Sequence, residues 1–134
     1  DILIQNIAGK SLQDIVNNEG HMALRKIEED VLLSVKCTNH IIATGGSAAY
    51  SEPAMLHLKQ RGIVVFLQTT LQELKSRIHN YETRGLAKRP DQSFQDLFEE
   101  RETLYVKYAD IVVEGSNLTQ DQVCDEIILQ VAQL

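Results

Sequence analysis

Apolar positions in residues 11–36 recur at intervals of three and four: Leu12, Ile15 and Val16, then Leu24, Ile27, Val31, Leu32 and Val35. That spacing places them on one side of a helix, and Ser11 ahead of them can serve as an N-cap. The polar break "NNEG" at 17–20 divides the stretch, so two helices are predicted. Three short runs of another kind follow: "HIIATGG" at 40–46, "GIVVFLQ" at 62–68 and "ADIVVEG" at 109–115. Each is rich in β-branched residues and short enough to be a fully buried strand. Helical stretches lie between and after them: "SEPAMLHLKQR" at 51–61, "TLQELKSRIHNYETR" at 70–84, "SFQDLFEERETLYVKY" at 93–108 and "TQDQVCDEIILQVAQL" at 119–134. Strands alternating with helices predict an α/β fold, with right-handed crossovers and a mainly parallel sheet covered on both faces. No repeat or linker interrupts the chain, so residues 1–134 are expected to form one domain. The polar, basic segment "RGLAKRPDQ" at 84–92 is the candidate mobile loop.

Composition narrows the function without changing this outline. The 134 residues are 43% hydrophobic and 24% charged, in the range of an ordinary globular core. A net charge of -6 argues against a surface built to hold nucleic acid or anionic lipid, while leaving room for a local basic pocket that binds a small anion. No stretch resembles a signal peptide or approaches the length of a membrane span, which predicts a soluble, cytoplasmic protein. Cys37 and Cys124 stand alone, without metal-ligand spacing, and are expected to be buried reduced thiols. His40, His57 and His79 share no ligand spacing either; structural or exposed roles are expected of them. Tyr105 and Phe94 fall at the spacing of a helix packing face.

The end of the first apolar run carries the chemical signal. In an open parallel sheet, ligands bind beyond the carboxyl ends of the strands. Gly45 and Gly46 stand at such an end, where two missing side chains let backbone N–H groups approach a ligand oxygen and either residue can take positive φ. Arg25, Arg77, Arg84, Arg89 and Arg101 are the candidate anion-holding groups of an otherwise acidic chain, because guanidinium meets carboxylate or phosphate with paired hydrogen bonds. Each could equally pair with a neighbouring acid such as Glu28, Glu99 or Glu100.

Four segments, in order, resemble the shikimate kinases, a nucleoside-monophosphate-kinase-like branch of the P-loop fold. "AGKSLQDIVNNEGHMALRKIE" resembles the stretch in which Gly-x-Ser is followed by Gly-Glu-x-x-Phe-Arg-x-x-Glu, and "IIATGGS" resembles Ala-Thr-Gly-Gly-Gly. "RGIVVFLQTTLQELKSRI" and "KRPDQSFQDLFEERETLYVKYADIVV" resemble the family's later strand, its Arg-Pro loop and its Arg-x-x-Leu-Tyr helix. The resemblance implies a three-layer fold and transfer of the γ-phosphoryl group of ATP, with Mg2+, to the 3-hydroxyl of shikimate, in the synthesis of aromatic amino acids. It also implies site residues. Arg25 and Arg101 would grip the shikimate carboxylate, Asp1 would bond a ring hydroxyl and act as the base, and Gly45 and Gly46 would present backbone to the substrate. Arg89, before Pro90, would be the catalytic lid arginine, and Glu28 would hold Arg25 in its working rotamer.

The family's Walker loop, Gly-x-x-x-x-Gly-Lys-[Ser/Thr], does not occur in these residues. "AGKS" at 8–11 is no substitute, since no strand or glycine-rich loop precedes it. The expectation is a longer natural protein whose first strand and nucleotide loop are not part of this sequence, with the slot for that strand between "HIIATGG" and "GIVVFLQ". Further departures are His21, Leu24, Ser47 and Thr103, of which Ser47 places a side chain where the family has its third glycine. The expected partner is a small hydroxy acid, shikimate or a similar compound, bound by a monomer without nucleic acid or membrane. The alternatives are a kinase for a different hydroxy acid and a non-catalytic binding module that has lost the nucleotide loop.

Overall fold

Helix boundaries follow the capping chemistry. In the computed structural model, which describes residues 1–78 and 86–134, the Ser11 side chain accepts the Asp14 N–H and starts α2 (Leu12–Glu19). Gly20, at φ 87°, ends α2 and opens α3 (His21–Ser34), so the expected break falls in the one residue type that tolerates this backbone at no steric penalty. A helix not foreseen, α1 (Ile2–Ala8), precedes them and closes at Gly9, φ 65°. A 3-10 turn (Ala48–Tyr50) leads into α4 (Glu52–Lys59), with Ser51 as its N-cap and Pro53 in its first turn. After β1 (Val65–Gln68) come α5 (Leu71–Arg77), α6 (Phe94–Tyr108), β2 (Ile111–Glu114) and α7 (Gln120–Val131). Reciprocal capping boxes, Ser93 with Asp96 and Thr119 with Gln122, fix the starts of α6 and α7. The helix predicted over 70–84 ends at Arg77, where Ile78 turns to extended backbone; residues 79–85, with His79 and Arg84, lie outside the described residues.

Helix α3 is the central post because two apolar clusters share it. Leu24 and Val31 join Ile4, Ile15 and Ala87 in one, while Leu32 joins Ala48, Ala49, Ala54, Met55 and Tyr108 in the other. The first cluster ties α1 and α2 to α3; the second ties α4, the 3-10 turn and the end of α6 to it. Arg25 and Glu28 lie on α3 between these anchors, so packing on both sides fixes their position.

The chain is α/β, with a short parallel sheet in which Val65 pairs with Ile111 and Gln68 with Glu114. Asp110 pins the start of both strands. Its carboxylate takes the Lys59 ammonium and the Val64 N–H, its own N–H donates to Val64 O, and the Lys59 and Val64 bonds together hold its carboxyl below the usual range.

The first of the three predicted strands, at 40–46, is not formed. Residues 40–46 have no strand partner, and no backbone hydrogen bond reaches 40–44 among the described residues. A strand exists only through its ladder, and the edge of β1 is separated from this segment by a cavity that Gly45, Gly46, Phe66 and Leu67 all border. Coverage of the sheet is also incomplete, with Leu67 on β1 and Val112 on β2 exposed, and Ile41 and Ile42 of the unpaired segment are exposed as well. Cys124 is exposed on α7 and Cys37 half-buried, so the expected burial of these free thiols is not observed. No helix among the described residues is long and apolar enough to cross a membrane.

Candidate functional site

The cavity between residues 45–47 and β1, about 300 Å³, gathers most of the chemistry foreseen from the sequence. Asp1, Glu28, Gly45, Gly46, Ser47 and Arg101 border it on one side, and Leu24, Phe66, Phe94 and Phe98 give it an apolar wall. Asp1 is brought there as the N-cap of α1, and its carboxylate faces Gly45. Arg101 and Tyr105 reach the cavity from successive turns of α6, and the Tyr105 hydroxyl donates to Gly46 O.

Glycine is needed here for proximity. Neither Gly45 nor Gly46 adopts positive φ, but a Cβ on Gly45 would lie 2.6 Å from Glu28 Oε1, and one on Gly46 would lie 2.7 Å from Arg101 Nη1 and 2.8 Å from the Tyr105 hydroxyl. Both obstacles are ends of side chains that could yield. Alanine would therefore displace the groups facing the cavity before it disturbed the backbone.

Arg25 and Arg101 converge although they come from different helices. Each donates from Nη2 to the single carbonyl of Ala87, at 3.2 and 3.5 Å. Arg25 lies flat on Tyr50, its Cζ 3.5 Å from the ring centroid, and Arg101 is 5.9 Å from the same centroid. Stacking of this kind orients a guanidinium without neutralising it. Neither arginine forms an ion pair among the described residues, and the Nε of each is buried without a hydrogen-bond partner. Two like charges so placed repel each other and leave donors free, which is the condition a small anion would relieve.

The pairing expected between Glu28 and Arg25 is absent. Glu28 instead accepts the hydroxyl of Ser47, and Arg25 rests on Tyr50. Burial pushes the Glu28 carboxyl above the usual range, opposed by the Ser47 hydrogen bond and by the charges of Arg101 and Arg25. The Tyr105 hydroxyl is also pushed up by burial, so it stays a donor at neutral pH.

Arg89 stands apart from the cavity. Its guanidinium donates to Glu100 Oε2 at 3.1 Å and is half exposed; the same carboxylate receives Gln92 Nε2 and the Tyr50 hydroxyl. Of the candidate lid 84–92, only 86–92 is described, with Ala87 buried and supplying the shared carbonyl. Lys10 and Ser11 are committed elsewhere: Lys10 pairs with Glu19 at 2.8 Å and Ser11 caps α2. His57 donates to Val35 O and His40 to Thr38 O.

Sequence reasoning missed Tyr50, Tyr105 as a polar partner of the glycine turn, and the Ala87 carbonyl. Tyr50 had a faint signal, as the first aromatic residue after the glycine pair. The carbonyl had none, because backbone direction is invisible in a residue string.

Comparison with known proteins bears on all of this. The family model for shikimate kinase matches residues 1–132. The shikimate kinase of Aquifex aeolicus is 37% identical over 128 residues, 94% of this chain and 74% of that protein. That of Rippkaea orientalis is 34% identical over 131 residues, 96% of this chain and 70% of that protein. Among solved structures, shikimate kinase from Acinetobacter baumannii in complex with shikimate superposes with a TM-score of 0.80 at 31% identity, covering 99% of this chain and 75% of that one.

Proposed function

The chain belongs to the shikimate kinase family, and on that premise we propose that its described residues form the acceptor half of a shikimate-phosphorylating site. Arg25 and Arg101 hold the substrate carboxylate, Asp1 bonds and orients a ring hydroxyl, and the bare backbone at Gly45 and Gly46 lets the ring lie close. The observation that carries this reading is the convergence on Ala87 O of two guanidiniums without ion pairs among the described residues, where Ala87 and Arg101 border a cavity lined elsewhere by apolar rings and by Asp1, Glu28 and Glu102, and Arg25 stands just behind that wall. A carboxylate entering there would satisfy free donors and cancel the repulsion between the arginines. Tyr50 below Arg25 and Tyr105 beside Arg101 fix the two cations before the ligand arrives, so little side-chain entropy is lost on binding.

The reaction class implies ATP and Mg2+, and the described residues do not fit them. Lys10 and Ser11 are spent on an ion pair and a helix cap, Arg89 is held by Glu100, and no cluster of acidic or histidine ligands suited to a metal occurs among the described residues. This chain's own contribution, as described, is therefore binding and orienting the hydroxy acid. Asp1 would accept the hydrogen bond that aligns the reacting hydroxyl, and the Leu24, Phe66 and Phe94 wall would keep water from it.

A calorimetric titration tests the carboxylate reading without any chemistry taking place. Shikimate should bind, and its methyl ester, which keeps the ring and hydroxyls but loses the charge, should bind at least about 30-fold more weakly, as expected when charge-assisted pairs are lost. Equal affinities for the two would remove the arginine pair from the proposal.

A further inference from the structure

Arg25 meets the cavity only through its tip. The residue does not border that space itself; its Nη2 donates to the carbonyl of Ala87, which does. Its direction therefore depends on two supports, the Tyr50 ring against the face of the guanidinium and the Ala87 carbonyl ahead of it. Both supports lead to Glu100. Its Oε1 accepts the Tyr50 hydroxyl, and its Oε2 accepts Gln92 Nε2 at 2.8 Å and Arg89 Nη1 at 3.1 Å. Gln92 is buried, its Oε1 accepts the Arg89 N–H, and its own N–H closes a turn on Arg89 O, so one carboxylate anchors the segment that carries Ala87. The Tyr50 hydroxyl foremost, and then Arg89 and Gln92, hold the Glu100 carboxyl below its usual range. Neither Glu100 nor Tyr50 borders the cavity.

We propose that Glu100 is a positioning residue for carboxylate recognition: holding the Tyr50 ring with one oxygen and the 86–92 segment with the other, it fixes the plane and the reach of the Arg25 guanidinium before a ligand enters. The inference rests on the reading that Arg25 and Arg101 hold the substrate carboxylate. A guanidinium grips a carboxylate with paired hydrogen bonds only when the two planes align, and an arginine side chain has many rotamers that miss. Two fixed points remove most of them. Tyrosine suits the first point because phenylalanine would offer the same face without a hydroxyl to hold it in place. Without Glu100, the Tyr50 hydroxyl and the buried Gln92 amide would each lose an acceptor, and both would move to find another. The anchor also precedes Arg101 directly on α6, so one helix sets the aim of Arg25 and supplies the second gripping cation.

Calorimetric affinities for shikimate and for its methyl ester, taken as a ratio, separate aim from general damage, because only the acid needs aligned guanidiniums. Glu100→Ala should lower this ratio about tenfold, the scale of one charge-assisted hydrogen bond, with ester affinity changed by less than about twofold. Tyr50→Phe keeps the ring and loses the bond to Glu100; it should lower the ratio about threefold and carries the test alone if Glu100→Ala does not fold. In an Arg25→Ala background, adding Glu100→Ala should weaken shikimate binding by less than about threefold, since the residue through which it acts is gone. A ratio unchanged in either variant overturns the proposal, even where both affinities fall together, because that pattern marks a merely structural role. A loss that persists undiminished without Arg25 overturns it too. Arg25→Ala alone separates the two layers: if the ratio survives there, the carboxylate reading itself has failed, whereas a ratio that collapses in Arg25→Ala and stands in Glu100→Ala defeats only the anchor.

Discussion

Replacing Arg101 with alanine is expected to weaken shikimate binding by about 2–4 kcal/mol, roughly 30- to 800-fold, while lowering the stability of the unliganded protein by far less. The two halves of this expectation come from the same geometry. Arg101 makes no ion pair in the folded chain, and its guanidinium shares one carbonyl acceptor with Arg25. Its removal takes away a like charge and one weak bond to Ala87, but also a cation that favours the buried Glu28 carboxylate, so the net effect on the unliganded fold is small and slightly unfavourable. For a bound carboxylate the account differs, since losing one of two gripping cations leaves part of a desolvated anion without a partner. Arg101→Lys should recover only part of the affinity, because a lysine ammonium cannot meet both carboxylate oxygens in one plane. Calorimetric titration together with a thermal melt checks both halves. A fall in melting temperature comparable to a core substitution would mean that Arg101 is a structural residue. Unchanged affinity would remove it from the site.

Ile15→Ala is expected to behave in the opposite way. Ile15 is fully buried in the cluster that joins α1 and α2 to α3, so the truncation forfeits its transfer free energy and leaves a cavity. The loss should be about 3 kcal/mol, which for a chain of this size lowers the melting temperature by roughly 10 °C. Ile15 does not border the cavity between residues 45–47 and β1, so shikimate affinity measured well below the new melting point should change less than about threefold. Denaturant titration gives the stability, and a shift under about 1 kcal/mol would show that α2 can collapse onto α3 and fill the space. Together the two variants separate stability from binding: one residue for each, with little crossover.

Helices were the most legible part of the fold because their signals are local. Ser11, the Gly20 break and the Ser93 cap are each decided within a few residues. Helix α1 escaped notice because Ile2, Leu3, Ile4 and Ile7 form too dense an apolar group to show one face, although Gly9 at its end marked a stop. The strands were less legible, since pairing depends on what lies alongside. The runs at 62–68 and 109–115 find each other over four residues, while 40–46 has an equally strong apolar signature and no neighbour to complete it. Exposure of Cys124, Leu67 and Val112 has the same cause: an apolar surface is buried only if something covers it.

For the site, periodicity and composition pointed to a glycine turn and a set of arginines without choosing among them. The choice of Arg25 and Arg101 came from the resemblance to shikimate kinases, and the structure brings these two, and not Arg77 or Arg89, to one carbonyl. The rule that residues three apart on a helix meet suggested a Glu28–Arg25 pair. It failed because Ser47 and Tyr50, from a distant loop, each took one of the partners. Local rules state which contacts are possible, and tertiary neighbours decide which are made.

A crystal structure of the protein with shikimate shows most directly whether Arg25 and Arg101 hold the substrate carboxylate. The carboxylate is expected within hydrogen-bonding distance of both Arg25 and Arg101, with a ring hydroxyl on Asp1 and the ring against Gly45 and Gly46. A carboxylate bound away from the two arginines, or a ligand oriented with its hydroxyls toward them, would contradict it.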